Sequence, residues 1–172
     1  MLFLQNSCKA HVNSVKCSKK SREFVCGNCW KVVLVATVFD VAKYILEKHG
    51  KMSTWKLQKL CYYSQAWHYT WTEKPLFKED FQAWRNGPVC RELYDTHKGK
   101  FMIEACDIQG NPSTLTSDEK DSVDVVFEDY GDRTPYDLRE QSHSEAPWLK
   151  ARGDLPADAN SEKIISLESM GE

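Results

Sequence analysis

The sequence predicts a mainly α protein, a compact domain of about five to six helices with a small β-hairpin element. Three observations predict it. Apolar residues recur at helical spacing in the segments that follow Thr37, Ser53, Thr116 and Thr134, each headed by a residue whose hydroxyl can cap a helix. Short apolar pieces and the turn signal Asn86-Gly87-Pro88 interrupt that periodicity once, after the second segment. The length, 172 residues, suits one such domain plus a tail or two.

In chain order, residues 1–34 fit no periodic template and hold Cys8, Cys17, Cys26 and Cys29. Cys26-Gly27-Asn28-Cys29 is a C-x-x-C knuckle, but a structural zinc site needs a second pair at similar spacing, and a redox motif needs a β-α-β context. Neither is present in the sequence, so no metal or cofactor is expected. The natural opening of the domain falls at Val35, and residues 1–34 are read as a dispensable lead-in, either disordered or foreign to the domain. The first helix is capped by Thr37 with Asp40 three residues on, buries Val38, Val41, Ala42, Ile45 and Leu46, and stops at Gly50. The second starts at Ser53 or Thr54 and runs to Thr72, with Leu57, Leu60, Cys61, Ser64, His68 and Trp71 on one face. Aromatic residues spread beyond that stripe, which marks a central helix or one that offers a second face to a partner.

Pro75 begins a turn. Leu76-Phe77 and Phe81–Trp84 read as the two arms of a hairpin around Lys78-Glu79-Asp80. Gly87 supplies a positive φ, and Pro88 opens a third helix from Val89 to Lys98, with Val89, Leu93 and Tyr94 inward. Residues 104–116 form a loop. A Thr116/Glu119 capping box begins the fourth helix, closed by Gly131. Thr134-Pro135 opens the fifth, which reaches His143; a short sixth starts near Pro147 and carries Trp148 to Arg152. Ile164, Ile165 and Leu167 dock a final segment, and residues 168–172 are a tail.

Composition excludes some classes. The chain has 23 basic and 25 acidic residues, net −2, which argues against a nucleic-acid binder. No run approaches the ~20 apolar residues needed to span a bilayer, and the expected location is cytoplasmic. His68, His97 and His143 sit in different elements with no metal-ligand spacing, and Cys61 and Cys90 have no histidine placed beside them by sequence. No catalytic residue set emerges, and the expectation is a protein that is not an enzyme.

The stretch from Trp55 to Ile103 carries four of the six tryptophans and the most specific pattern in the chain. Lys56, Leu57, Gln58, Lys59, Leu60, Tyr62, Tyr63 and Gln65 are followed by Pro75, Leu76 and Phe77. Then come Ala83, Trp84, Gly87, Pro88, Val89, Leu93 and Tyr94, and later Leu138, His143, Glu145, Pro147, Trp148, Ala151 and Arg152. These three blocks, in this order, resemble the Panacea domain, the SocA-like antitoxin family of bacteria and phages, whose members include GepA-like phage-associated proteins. The resemblance covers Val35 to Ile165, and the domain is placed at 35–167. Cys90 stands where that family more usually has a small or apolar residue. Similar proteins run slightly further than Glu172, so the tail reads as clipped.

The resemblance implies a helical domain with a small β element that binds and neutralises a cognate protein toxin encoded beside it. Two alternatives are an adaptor that delivers the toxin to a bacterial protease and a DNA-binding regulator of its own operon. Within the motif, Leu57, Leu60, Phe77, Val89 and Leu93 read as core and Gly87 and Pro88 as turn geometry. Gln58, Pro75, Leu76, Trp84, Tyr94, His143, Pro147 and Trp148 are further structural positions. The toxin-binding candidates are Lys56, Lys59, Tyr62, Tyr63, Gln65, Arg85 and Asn86, polar or amphipathic side chains on a rigid frame.

Overall fold

The computed structural model describes residues 23–24, 32–33, 35–156 and 158–171. The chain divides into two compact units, residues 1–33 and residues 34–172. In the first, β1 (Glu23–Phe24) pairs antiparallel with β2 (Val32–Val33). Cys8, Cys17, Cys26 and Cys29 lie outside the described residues.

The second unit is mainly α with a small β element, built around one buried helix. Among the described residues it has seven helices. The first, α1 (Val38–His49), begins with the capping box: the Thr37 amide donates to Asp40 Oδ2 at 2.9 Å and the Thr37 hydroxyl accepts from the Asp40 amide. Asp40 also accepts the Asn111 amide at 2.6 Å and so ties the later loop to this helix end. Two residues of β3 (Met52–Ser53) lead into α2 (Thr54–Thr72), which packs against α1.

Every residue of α2 from Leu57 to Ala66 is buried. Leu57, Leu60 and Cys61 form the apolar stripe, and full burial of each leucine contributes about 1.5–3 kcal/mol. His68 packs inside as a hydrogen-bonded residue, its Nδ1 3.0 Å from Ser122 Oγ. Over the same residues the other side of the helix is covered by the β element and by the helices that follow it, while Trp55, Trp67 and Trp71 nearer its ends are exposed.

The hairpin differs from the expected one. Its arms are β4 (Phe81–Trp84) and β5 (Gly87–Cys90), paired from Phe81–Cys90 to Trp84–Gly87 across the turn Arg85-Asn86. Gly87 has the positive φ, +93°, but Pro88 and Val89 lie in β5 rather than at a helix start. Pro88 is tolerated because β5 is an edge strand, where a missing N–H breaks no second ladder. The third helix, α3, is therefore the shorter segment Arg91–His97. Leu76 and Phe77 are not a strand: Gln65 of α2 satisfies their backbone instead.

The strand β6 (Met102–Ile103) pairs with β3, a ladder that two-residue strands give no periodicity to announce. Residues 104–116 contain two short 3-10 turns, Ala105–Asp107 and Pro112–Thr114. Next, α4 (Ser117–Tyr130) is opened by the Thr116/Glu119 capping box and α5 (Pro135–Ser144) by a Thr134/Asp137 box. The helix α6 (Ala146–Arg152) follows. Finally β7 (Ile164–Ile165) docks on the free edge of β4, and α7 (Leu167–Met170) packs on α2.

Candidate functional site

Two glutamines of α2, two turns apart on one face, fix the β element to the helix. Gln58 Oε1 accepts the Cys90 amide at 2.9 Å, and its Nε2 donates to the Cys90 carbonyl at 3.2 Å. Gln65 repeats the device: Oε1 accepts the Leu76 amide at 2.8 Å and the Phe77 amide at 3.2 Å, and Nε2 donates to the Phe77 carbonyl at 3.0 Å. Buried backbone groups left without such partners would each cost about 1–3 kcal/mol. Because the Cys90 amide can only donate, the Gln58 side chain has one possible orientation. Its Nε2 then faces His97 Nε2 at 3.1 Å, so that ring nitrogen accepts and His97 is neutral. Burial accordingly lowers the His97 pKa.

Lys59 enters the same corner. Its Nζ donates to the Pro88 carbonyl at 3.0 Å, and burial, with the Arg139 charge beside it, pushes its pKa down to about 7. Gly87 permits the approach: a Cβ there would lie 2.7 Å from Lys59 Cε and 2.9 Å from Ser142 Oγ. Behind the hairpin, His143 stacks on Trp148 at 4.0 Å, and the Trp148 indole donates to the Trp84 carbonyl at 3.0 Å. Arg152 lies over Trp148 at 4.7 Å and donates to the Ala83 carbonyl at 2.9 Å. The third sequence block thus braces the second.

The seven toxin-binding candidates separate by position. Lys59, Tyr62, Tyr63 and Gln65 are buried, at 1–4% exposure, so their side chains face the interior instead of standing on an open surface. Between Leu57 and Ala66 the helix is covered on every side, which leaves the polar residues of that segment no open route to solvent. Lys56 is half-buried and donates to the Gly131 carbonyl. Arg85 is exposed on the hairpin turn and Asn86 half-buried beside it. Both line a pocket of about 490 Å³ with Trp84 and Arg91.

The structure adds Trp55, Ala66, Trp67 and Thr70 to the α2 residues expected from sequence. Trp55, Gln58, Lys59, Tyr62, Tyr63, Ala66, Trp67 and Thr70 form one stripe of α2 at successive three- and four-residue steps. That stripe lines two pockets. The first, about 300 Å³, adds Trp84, Asn86, Val89, Tyr94 and His97 as walls. The second, about 350 Å³, adds Tyr130, Glu145, Pro147 and Met170. Trp55, Trp67 and Trp71 are 47%, 37% and 48% exposed, and Trp67 stacks on Trp71 at 5.6 Å. The signal for them was the aromatic excess on α2, which spacing alone cannot divide between core and surface.

The motif residues otherwise take structural places. Leu57, Leu60, Leu76, Phe77, Val89, Leu93 and Trp148 are buried, whereas Pro75 is exposed and Pro147 half-buried at the second pocket. Trp84 meets the ring of Tyr94 edge-on at 5.0 Å.

A family model described as antitoxin SocA-like, Panacea domain, matches residues 57–149. The chain belongs to this family. The matched Panacea segment begins at Leu57 of α2 and ends in α6, and so takes in both glutamine clamps, the β4–β5 hairpin and most of both pocket linings. No curated protein and no solved structure matches the chain.

The Cys61 and Cys90 thiols are buried, and burial raises both pKa values, that of Cys90 to about 12, so neither is a ready nucleophile. Among the described residues Glu104, Cys106 and Asp107 bring possible ligand atoms within 4.8 Å of one another, but Asp107 already closes a turn and pairs with Lys100. Among the described residues, no helix is long and apolar enough to cross a membrane.

Proposed function

We propose that this protein is the antitoxin of a toxin–antitoxin system, which binds a cognate protein toxin and neutralises it by direct contact through the α2 face and the hairpin turn. The observation that supports this reading is the stripe itself. A Panacea-family segment presents two aromatic-lined pockets side by side along one helix, with Trp55 and Trp67 half open to solvent at them. Large aromatic side chains held on a rigid frame are the usual anchors of protein interfaces, worth ~2 kcal/mol or more each. The fixed hairpin carries Arg85 to the same end of the domain as Trp84.

The test is co-expression with the protein encoded beside it. That neighbour should arrest growth alone, and growth should return when this chain is present. Trp55→Ala and Arg85→Ala should weaken the complex by tenfold or more, about 1.4 kcal/mol, without lowering the melting temperature. Continued toxicity with both proteins soluble sinks the reading. Following the toxin's half-life in the same cells separates neutralisation by binding from delivery to a protease.

A further inference from the structure

The second pocket has a floor that the family assignment does not explain. Glu145 lies between α5 and α6, half-buried, among Tyr63, Tyr130 and Trp67. Its two carboxylate oxygens each accept from the Tyr63 hydroxyl at 3.2 Å, and one accepts from the Gln141 amide at 2.9 Å. Both partners are neutral. Among the described residues no basic side chain forms an ion pair with it. Arg133 lies 4.7 Å over the Tyr130 ring, where it donates to the Asp129 carbonyl and to Gln141, and its charge reaches Glu145 only as the weakest of the influences on that carboxyl.

Removing a carboxylate from water without an ion-pair partner is unfavourable, and burial shifts the Glu145 pKa upward. The surroundings would suit such a partner. Tyr63 and Tyr130 stack at 4.3 Å, and the Trp67 indole donates to the Tyr130 hydroxyl at 2.9 Å, which fixes these rings around the opening. A carboxylate set among aromatic rings attracts a planar cation, and a guanidinium can fork to it while lying against Trp67 and the edges of the Tyr63–Tyr130 stack. Pro147 and Met170 supply apolar walls for an aliphatic stem. About 350 Å³ is enough room for one long side chain and too little for a folded element.

We propose that this pocket is a socket for one arginine side chain of the protein partner, with Glu145 as its counter-charge and the Tyr63, Trp67 and Tyr130 rings as its walls. The identity of the partner as a toxin rests on the antitoxin reading; the socket's chemistry does not.

The probe is therefore a blocked arginine, N-acetyl-arginine methylamide, set against its neutral isostere N-acetyl-citrulline methylamide. Both are titrated into the whole protein while the Trp67 indole N–H resonance and tryptophan fluorescence are followed. Arginine should give a saturable shift at Trp67 and citrulline none. Glu145→Gln should bind at least about tenfold more weakly, the share of a charge-assisted hydrogen bond. An equal response to citrulline, or none to arginine, overturns the socket, and neither result depends on Glu145→Gln remaining folded. Failure of the co-expression test, with the arginine response intact, would instead strike the antitoxin reading.

Discussion

The side chain of Gln58 pairs with the main chain of Cys90 as a neighbouring strand would, accepting from its N–H at 2.9 Å and donating to its C=O at 3.2 Å. Gln58→Leu removes both bonds in a buried site and leaves a donor and an acceptor unsatisfied. The expected loss is about 2–4 kcal/mol in urea unfolding. Gln65→Leu should cost a similar amount. Two turns, about 10 Å of helix, separate the two clamps, so the double variant should be additive within about 0.5 kcal/mol.

Gly87→Ala meets two obstacles. The φ of +93° is one that side chains rarely adopt, and the new methyl would sit 2.7 Å from Lys59 Cε. A loss of about 2 kcal/mol or more is expected, read as a lower urea midpoint with unchanged slope. Retained stability would show that the turn adopts another conformation.

Lys59 gives the protein an alkaline signature. Its folded pKa is lowered to about 7 from an ordinary 10.5. Between these values the unfolded chain holds a proton that the folded chain has released, so stability rises with pH across this window, and the penalty is complete below about 7. Lys59→Met should flatten the rise between pH 7 and 10.5. The loss of a donor to the Pro88 carbonyl offsets part of the gain at neutral pH, so the slope is the diagnostic quantity.

His143 gives an acid signature of the same sign. Burial lowers its pKa to about 4 from 6.5. Its contribution is present above pH 6.5 and is lost as pH falls toward 4, as the unfolded chain takes up a proton first. The pKa values of His49 and His97 are lowered too and act in the same direction. His143→Phe, which keeps a ring against Trp148, should make the acid limb shallower, because His143 Nε2 has no hydrogen-bond partner to lose.

Local chemistry announced much of the fold. Thr37 with Asp40, Thr116 with Glu119 and Thr134 before Pro135 act within single turns, and all three helix starts fall where they place them. The hairpin was harder to read. Leu76-Phe77 and Phe81–Trp84 have similar local character, and the choice between them depends on Gln65, which lies 11–12 residues away and takes the Leu76 and Phe77 backbone for itself. Pro88 was equally ambiguous, since a proline suits a helix start and an edge strand alike. The site divided along the same line. Lys59, Tyr62 and Gln65 are polar by type, yet burial depends on what packs against a helix from distant parts of the chain.

The mainly α class, the helix starts at Thr37, Thr116 and Thr134 and the Panacea-family blocks were legible in the residues alone, because caps, turns and apolar periodicity depend on neighbours a few residues apart. Packing between distant segments set the burial of α2 from Leu57 to Ala66. It also set that β5 rather than α3 follows Gly87, and that Trp55, Trp67 and Glu145 line open pockets while Lys59 and Gln65 turn onto buried backbone groups. Those outcomes depend on which distant backbone groups need a partner and which surfaces meet, and no local pattern encodes either.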